Sequence, residues 1–289
     1  MKTLINSCTI AMLGIVFFSF SFPDNTMTLD QAIAQNKVQA TVLPFGDKGY
    51  SEGLRVNVKN ISGKSLKLIM PKGTIFVPDN GEEQTLITSG DEVFALNSNQ
   101  EKQILRPGFC TELSDHGSDD ASTFKLAVSK NANLMNVIHF MDSLNVKDND
   151  VIQHAVWSIT DNSPVAYVDG EDTAKARLIR QRICALTNQK MPWYNTESEI
   201  IQTPEREFVI EAKEVAGDIV INSDVPIVMQ GQVKDSNGKI LFTNPNQSRA
   251  PAGETTFEYV LHVEGWEKGT YYVVYTCNGK EVINQAFEI

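Results

Sequence analysis

Apolar and polar positions alternate along most of this chain, and a different period takes over for one long central stretch. Leu54, Val56 and Val58 interleave with Arg55, Asn57 and Lys59, the two-residue period of a half-buried strand. Ser65 to Met70, Gly73 to Val77, Thr85 to Thr88 and Val93 to Leu96 predict further short strands. Turn chemistry at Asn60-Ile-Ser-Gly63 and Pro78-Asp-Asn-Gly81 separates them. Short strands with closely spaced turns predict an antiparallel sandwich rather than a parallel sheet. Ahead of them, Thr28-Leu-Asp-Gln31 has the form of a capping box and predicts a short helix over Leu29 to Gln35.

From Asn131 the period becomes helical. Leu134, Val137, Ile138 and Met141 recur at helix spacing, and so do Val151, Ala155 and Ile159 with Val156 beside them. Asp169-Gly-Glu-Asp172 opens a third helix through about Leu186. Its acids lie first and Lys175, Arg177, Arg180 and Arg182 follow, the order that complements a helix dipole and solvates one face. Residues 188–204 hold two prolines and no sustained period, and read as a linker. Beyond them strands return: Phe257, Tyr259, Leu261 and Val263 alternate with polar neighbours, and Asp235-Ser-Asn-Gly238 and Asn278-Gly279 are hairpin turns. The expected fold is therefore mainly β. A β-sandwich over 22–187 carries helices at about 131–186, and a smaller Ig-like sandwich follows over 205–289.

The first residues change the picture of location. Lys2, the uncharged and largely apolar stretch Ile10 to Phe20, and Ser19-Phe20-Ser21 form the charge, core and small-residue pattern of a signal peptide over 1–21. The expected location is the periplasm, cell surface or extracellular space. No later segment approaches the length of a membrane span. In a chain of 289 residues the net charge of −11 excludes nucleic acid as a partner, because phosphate binding needs a cationic surface. Four cysteines are too few for a disulfide scaffold. If any pair forms in an oxidising compartment, Cys110 and Cys184 are the expected one, as both are assigned to the first domain.

Catalytic signatures are absent: no GxGxxG, Walker loop, HExxH, GxSxG or CxxC occurs, and no cofactor is implied. His116, His139, His154 and His262 lack metal-ligand spacing. Asp115, Asp119 and Asp120 crowd one loop and are the candidate ligands for a hard cation such as calcium. Cys110 is the one cysteine that could serve as a nucleophile, with His116 the nearest base in sequence.

Three resemblances rest on particular residues. Gln153-His-Ala-Val-Trp157 resembles the Q-x-A-I/V-W helix of Gram-positive thioester domains, in which a cysteine thiol condenses with a glutamine side chain to make an electrophile that acylates host amines. That resemblance implies Cys110 and Gln153 as the pair. Ile152 stands where those domains usually have threonine, and the two residues are closer in sequence than usual. Val58 to Ser62 (V-x-N-x-S), Pro71 to Phe76 (P-x-G-T-x-F) and the same helix also resemble a poorly characterised exported β-sandwich type, which implies no activity. Gly217-Asp-Ile-Val-Ile221, Val233 to Lys239 and Lys268-Gly-Thr-Tyr-Tyr-Val273 are similar to the C-terminal sorting domains of type IX secretion cargo in Bacteroidetes. The chain lacks the basic ending and the opening proline-asparagine signature of those domains. The function expected from the sequence is a non-enzymatic interaction or structural module of the cell envelope with a protein or glycan partner. A covalent thioester adhesin is the first alternative and a hydrolase with an unrecognised site the second.

Overall fold

The computed structural model describes residues 26–45 and 53–289, so the signal peptide read over 1–21 lies outside the described residues. The first half holds β1 (Thr26–Thr28), α1 (Leu29–Ala34), β2 (Val38–Phe45), β3 (Gly53–Asn60), β4 (Leu66–Met70), β5 (Thr74–Pro78), β6 (Leu86–Ile87), β7 (Glu92–Leu96), β8 (Glu101–Pro107), β9 (Phe109–Cys110) and β10 (Phe124–Val128). Three helices follow: α2 (Ala132–Ser143), α3 (Asn149–Thr160) and α4 (Thr173–Thr187). The strands form three sheets, ordered β1-β4-β7, β2-β3-β8 and β10-β5-β6-β9. The capping box forms as read, with Thr28 and Gln31 each bonding the other's backbone N–H.

Two of the sequence landmarks hold this half together. Asn60, fully buried, donates to the carbonyls of Lys64, Leu96 and Asn97 and accepts from the Ser62 N–H and hydroxyl. It ties two turns to one side chain, which a buried amide must do to satisfy its own donors and acceptor. Gly73 sits at φ +78°, and a Cβ there would meet the Met135 side chain of α2 at 2.3 Å. The positive φ favours glycine, and the end of the Met135 side chain of α2 packs directly against this turn.

The sheet β10-β5-β6-β9 separates two apolar layers. Ile87 and Phe109 face the helices, with Val137, Ile138, Val156, Ile179 and Cys184 in one cluster. Phe76, Leu86 and Cys110 face the sandwich core. Successive residues of a strand point to opposite faces, so Phe109 and Cys110 belong to different layers although they are adjacent.

The second half holds β11 (Tyr194–Gln202), β12 (Phe208–Ser223), β13 (Ile227–Asp235), β14 (Ile240–Ala250), β15 (Gly253–His262), β16 (Thr270–Cys277) and β17 (Lys280–Glu288). Sheets ordered β11-β12-β15 and β14-β13-β16-β17 make a three-on-four, Ig-like sandwich. The linker expected over 188–204 is corrected: Tyr194–Gln202 is a strand, paired along its whole length with β12. Its inward positions include Thr196 and Ser198, so the apolar alternation that marks a strand is diluted. The expected solvated face of α4 is corrected at one position. Arg180 turns inward, donating to the Val168 carbonyl with Asp169 at 3.6 Å. Among the described residues no helix is long and apolar enough to cross a membrane.

Candidate functional site

Cys110 ends β9, an edge strand that among the described residues pairs only with β6. The Thr111 N–H turns back to the Thr85 carbonyl at 2.9 Å. By the alternation of an antiparallel ladder, the Cys110 N–H and C=O then point outward, where no further strand lies among the described residues. Helix α3 fills that edge with one side chain. Gln153 Oε1 accepts from the Cys110 N–H at 2.9 Å, and Gln153 Nε2 donates to the Cys110 carbonyl at 2.8 Å. The carboxamide pairs with Cys110 as the backbone of a neighbouring strand would. Gln153 is 0% exposed and Cys110 2%, so without these bonds two backbone groups and an amide would be buried unsatisfied.

Helix α3 is fixed for this task at both ends. Asp148 caps its start, accepting from the Asp150 and Val151 N–H groups. Asp161 closes its end, accepting from the Leu113 N–H at 3.0 Å and the Thr160 hydroxyl at 2.6 Å. A carboxylate at a helix C-terminus opposes the dipole, and the Leu113 N–H compensates it locally. The segment from Cys110 to Leu113 is thereby stitched to α3 at two points. Trp157, fully buried, and Ala155 pack on either side of the same helix.

The electrostatics follow from burial. Desolvation pushes the Cys110 thiol well above its ordinary value, and the charges of Glu112 and Asp161 push it the same way. Glu112 is half-buried. Burial raises its pKa, opposed by hydrogen bonds from the Thr111 hydroxyl and the Thr85 N–H, with Asp115 and Asp161 raising it further. The chain bends at Thr111 after β9, and the Glu112 carboxylate turns back to accept from the Thr85 N–H at 2.8 Å.

The other sequence-derived sites do not assemble. Cys110, Cys184 and Cys277 are all free thiols, so the expected Cys110–Cys184 disulfide is corrected. Cys110 faces the sandwich core and Cys184 the helical layer across the sheet. The calcium expectation at Asp115, Asp119 and Asp120 is corrected as well: among the described residues no three such ligands converge. Asp119 is used instead by the Ala121 N–H and by Arg206. His116 pairs by backbone with Glu83 and Gln84, not with Cys110. The structure adds a contact the sequence did not single out. His154 Nε2 lies 3.1 Å from Ser198 Oγ, but among the described residues its buried Nδ1 has no hydrogen-bond partner and no third group orients the ring for base catalysis.

No family model and no curated protein matches the chain. Among solved structures, a β-glucosidase from Kluyveromyces marxianus is similar at 10% identity and a TM-score of 0.21, over 85% of this chain and 45% of that one. A red sea bream transglutaminase is similar at 7% identity and a TM-score of 0.19, over 88% and 31%. The CBM51-2 and INT domains of ZmpB from Clostridium perfringens, in complex with GlcNAc, give 11% identity and a TM-score of 0.17, over 87% and 79%. The chain spans less than half the length of the first two, and these likenesses assign no family.

Proposed function

We propose that this chain is an exported attachment protein in which Cys110 and Gln153 form an internal thioester. The observation that carries the reading is the pair of hydrogen bonds by which the Gln153 carboxamide grips the backbone of Cys110. The thiol sulfur stands three bonds from the N–H that polarises the carboxamide carbonyl. Condensation joins Cys110 Sγ to Gln153 Cδ, breaks the Cδ–Nε2 bond and releases ammonia, which carries away the thiol proton. A primary amine on a partner surface then attacks Cδ, an amide forms, and Cys110 regains its thiol. The Cys110 N–H serves both steps as a donor to the developing oxyanion. Export rests on Lys2, the apolar stretch and Ser19-Phe20-Ser21, and the tail serves as an Ig-like spacer.

One observation favours a second reading. Both residues are buried and each polar atom of the amide has a partner, which is also what a purely structural clamp inside a non-enzymatic interaction module requires. Intact-mass measurement of the purified chain separates the two. The thioester reading expects a mass lower by one ammonia, a methylamine adduct after incubation with the amine, and loss of both signals in Cys110→Ala. A chain of full mass that ignores methylamine leaves Gln153 as a clamp and overturns the thioester.

A further inference from the structure

We infer that Asn80–Gly81 is a self-modifying site, at which the Gly81 backbone nitrogen attacks the Asn80 side chain and converts it to aspartate and isoaspartate; this is independent of the thioester reading. Asn–Gly occurs at three places in the chain, Asn80, Asn237 and Asn278, each in or beside a turn. The reaction needs the carboxamide carbon folded back over the next residue's nitrogen. It needs that nitrogen free to lose its proton, and no side chain shielding it. Glycine meets the last condition at all three places, so the fold decides among them.

At Asn237 the nitrogen is engaged. The Gly238 N–H donates to the Asp235 carbonyl at 3.0 Å, and the Asp235 carboxylate accepts from the Asn237 and Lys239 N–H groups at 2.9 Å. At Asn278 the backbone is left-handed, φ +50° followed by +74° at Gly279, inside the hairpin closed by the Cys277–Lys280 pair. The left-handed ψ of about +47° sets Cβ anti to the next nitrogen, out of reach.

Asn80 differs in both respects. It is exposed and not left-handed, and among the described residues the Gly81 N–H has no partner. Asn80 Oδ1 accepts from the Glu82 N–H at 3.2 Å, a bond to the residue beyond Gly81 that folds the carboxamide back over the Gly81 peptide. Attack joins Gly81 N to Asn80 Cγ, breaks the Cγ–Nδ2 bond and releases ammonia, which carries off the Gly81 amide proton. The Glu82 N–H donates to Oδ1 as negative charge gathers there. Water then opens the five-membered ring at either carbonyl, giving aspartate or isoaspartate. The product bears on the joint between the two halves. The Glu83 N–H donates to the Asn80 carbonyl at 3.2 Å, and the buried Glu83 carboxylate stands 3.6 Å from Arg206. Isoaspartate inserts a methylene into the main chain of this turn, which displaces Glu83 and loosens Arg206.

The test incubates the full chain in mildly alkaline buffer and follows each Asn–Gly peptide by mass over time. Asn80 is expected to convert at least ~10-fold faster than Asn237 or Asn278, the rate equivalent of one intramolecular hydrogen bond. In the urea-unfolded chain the three rates should converge. Gly81→Ala, whose added Cβ would meet nothing within 4 Å, should slow conversion at Asn80 alone. Asn237 or Asn278 leading in the folded chain, or Asn80 keeping its lead in urea, overturns the assignment. Aged wild-type chain should be cut by trypsin at Arg206 sooner than equally aged Asn80→Ser; equal cutting overturns the effect on the joint and leaves the modification standing. The cyclised Asn80 and the thioester each lack one ammonia. Cys110→Ala removes only the thioester's loss and Asn80→Ser only the ring's, so the two readings fail separately.

Discussion

His154 shows how much one buried ring can carry. It stacks on Tyr167 with centroids 5.7 Å apart, meets Trp157 edge-on at 6.1 Å and reaches Ser198 through Nε2. Desolvation lowers its pKa from 6.5 to about 4, with the Asp148 charge opposing. The unfolded chain therefore takes up a proton near pH 6.5 that the folded chain refuses until about pH 4. As pH falls through that window, the unfolded state gains protons and stability is lost. Below about pH 4 the loss from this residue is complete. The shift corresponds to roughly 3 kcal/mol at 1.36 kcal/mol per unit. Urea midpoints measured between pH 7 and pH 4 should fall more steeply for the wild type than for His154→Gln. Equal slopes would mean that His154 is hydrated in solution. Glu112 titrates with the opposite sign, so the difference between the two proteins, not either slope alone, isolates the ring.

Strand β11 carries the lesson at the scale of elements. Its sequence has Thr196 and Ser198 where an ordinary strand would turn apolar residues inward, and it reads as a connection. Thr196 is nonetheless fully buried, and Ser198 meets His154 of α3. Polar contacts join β11 to the first half of the chain on both of its faces, Ser198 to His154 and Asn195 to Asp169 at 2.7 Å, so hydrophobic period was a weak signal for it. Paired backbone resists proteases, which need several residues of free, extended chain. Limited trypsin digestion should therefore cut after the exposed Lys190, in the short connection before β11, and spare Arg206, whose carbonyl accepts from the Gly117 N–H and whose guanidinium bonds Asp119. Early cleavage at Arg206 would show that the strand detaches in solution.

The whole molecule is joined by the same surface. A single apolar cluster runs from Leu29 and Val56 through Trp157 and Tyr167 to Phe208, Ile210 and Phe287. Trp157 and Phe208 stand across the joint with ring centroids 6.2 Å apart. Gly117 admits the close approach: a Cβ there would meet Gln202 Nε2 at 2.4 Å. Strand β12 belongs to both neighbourhoods. Phe208, at its first position, faces the first half, while residues from Glu214 onward pair with β15 inside the Ig-like sandwich. Trp157→Ala should accordingly cost about 3–5 kcal/mol, the usual cost of emptying an aromatic core site. It should lower one shared thermal transition rather than splitting off an unchanged one. Two transitions in the wild type, with only the first moved by the substitution, would make the halves independent.

The chain's own pattern determined whatever depends on neighbours a few residues away. That includes the capping box at Thr28, the three central helices, the hairpin turns and the mainly β class, all of which are set by local dihedral preference and by apolar period. It also contained the Cys110–Gln153 pair, but only as two residue types at a suggestive motif. Tertiary structure alone decided what they do to each other, because the contact depends on β9 being an edge strand with an unpaired outward N–H and C=O. Two expectations failed for the same reason. Cys110 and Cys184 lie on opposite sides of a sheet whose depth no local period reports. Of the acids of the 115–120 loop, Asp119 is held by Arg206, which arrives from elsewhere in the chain.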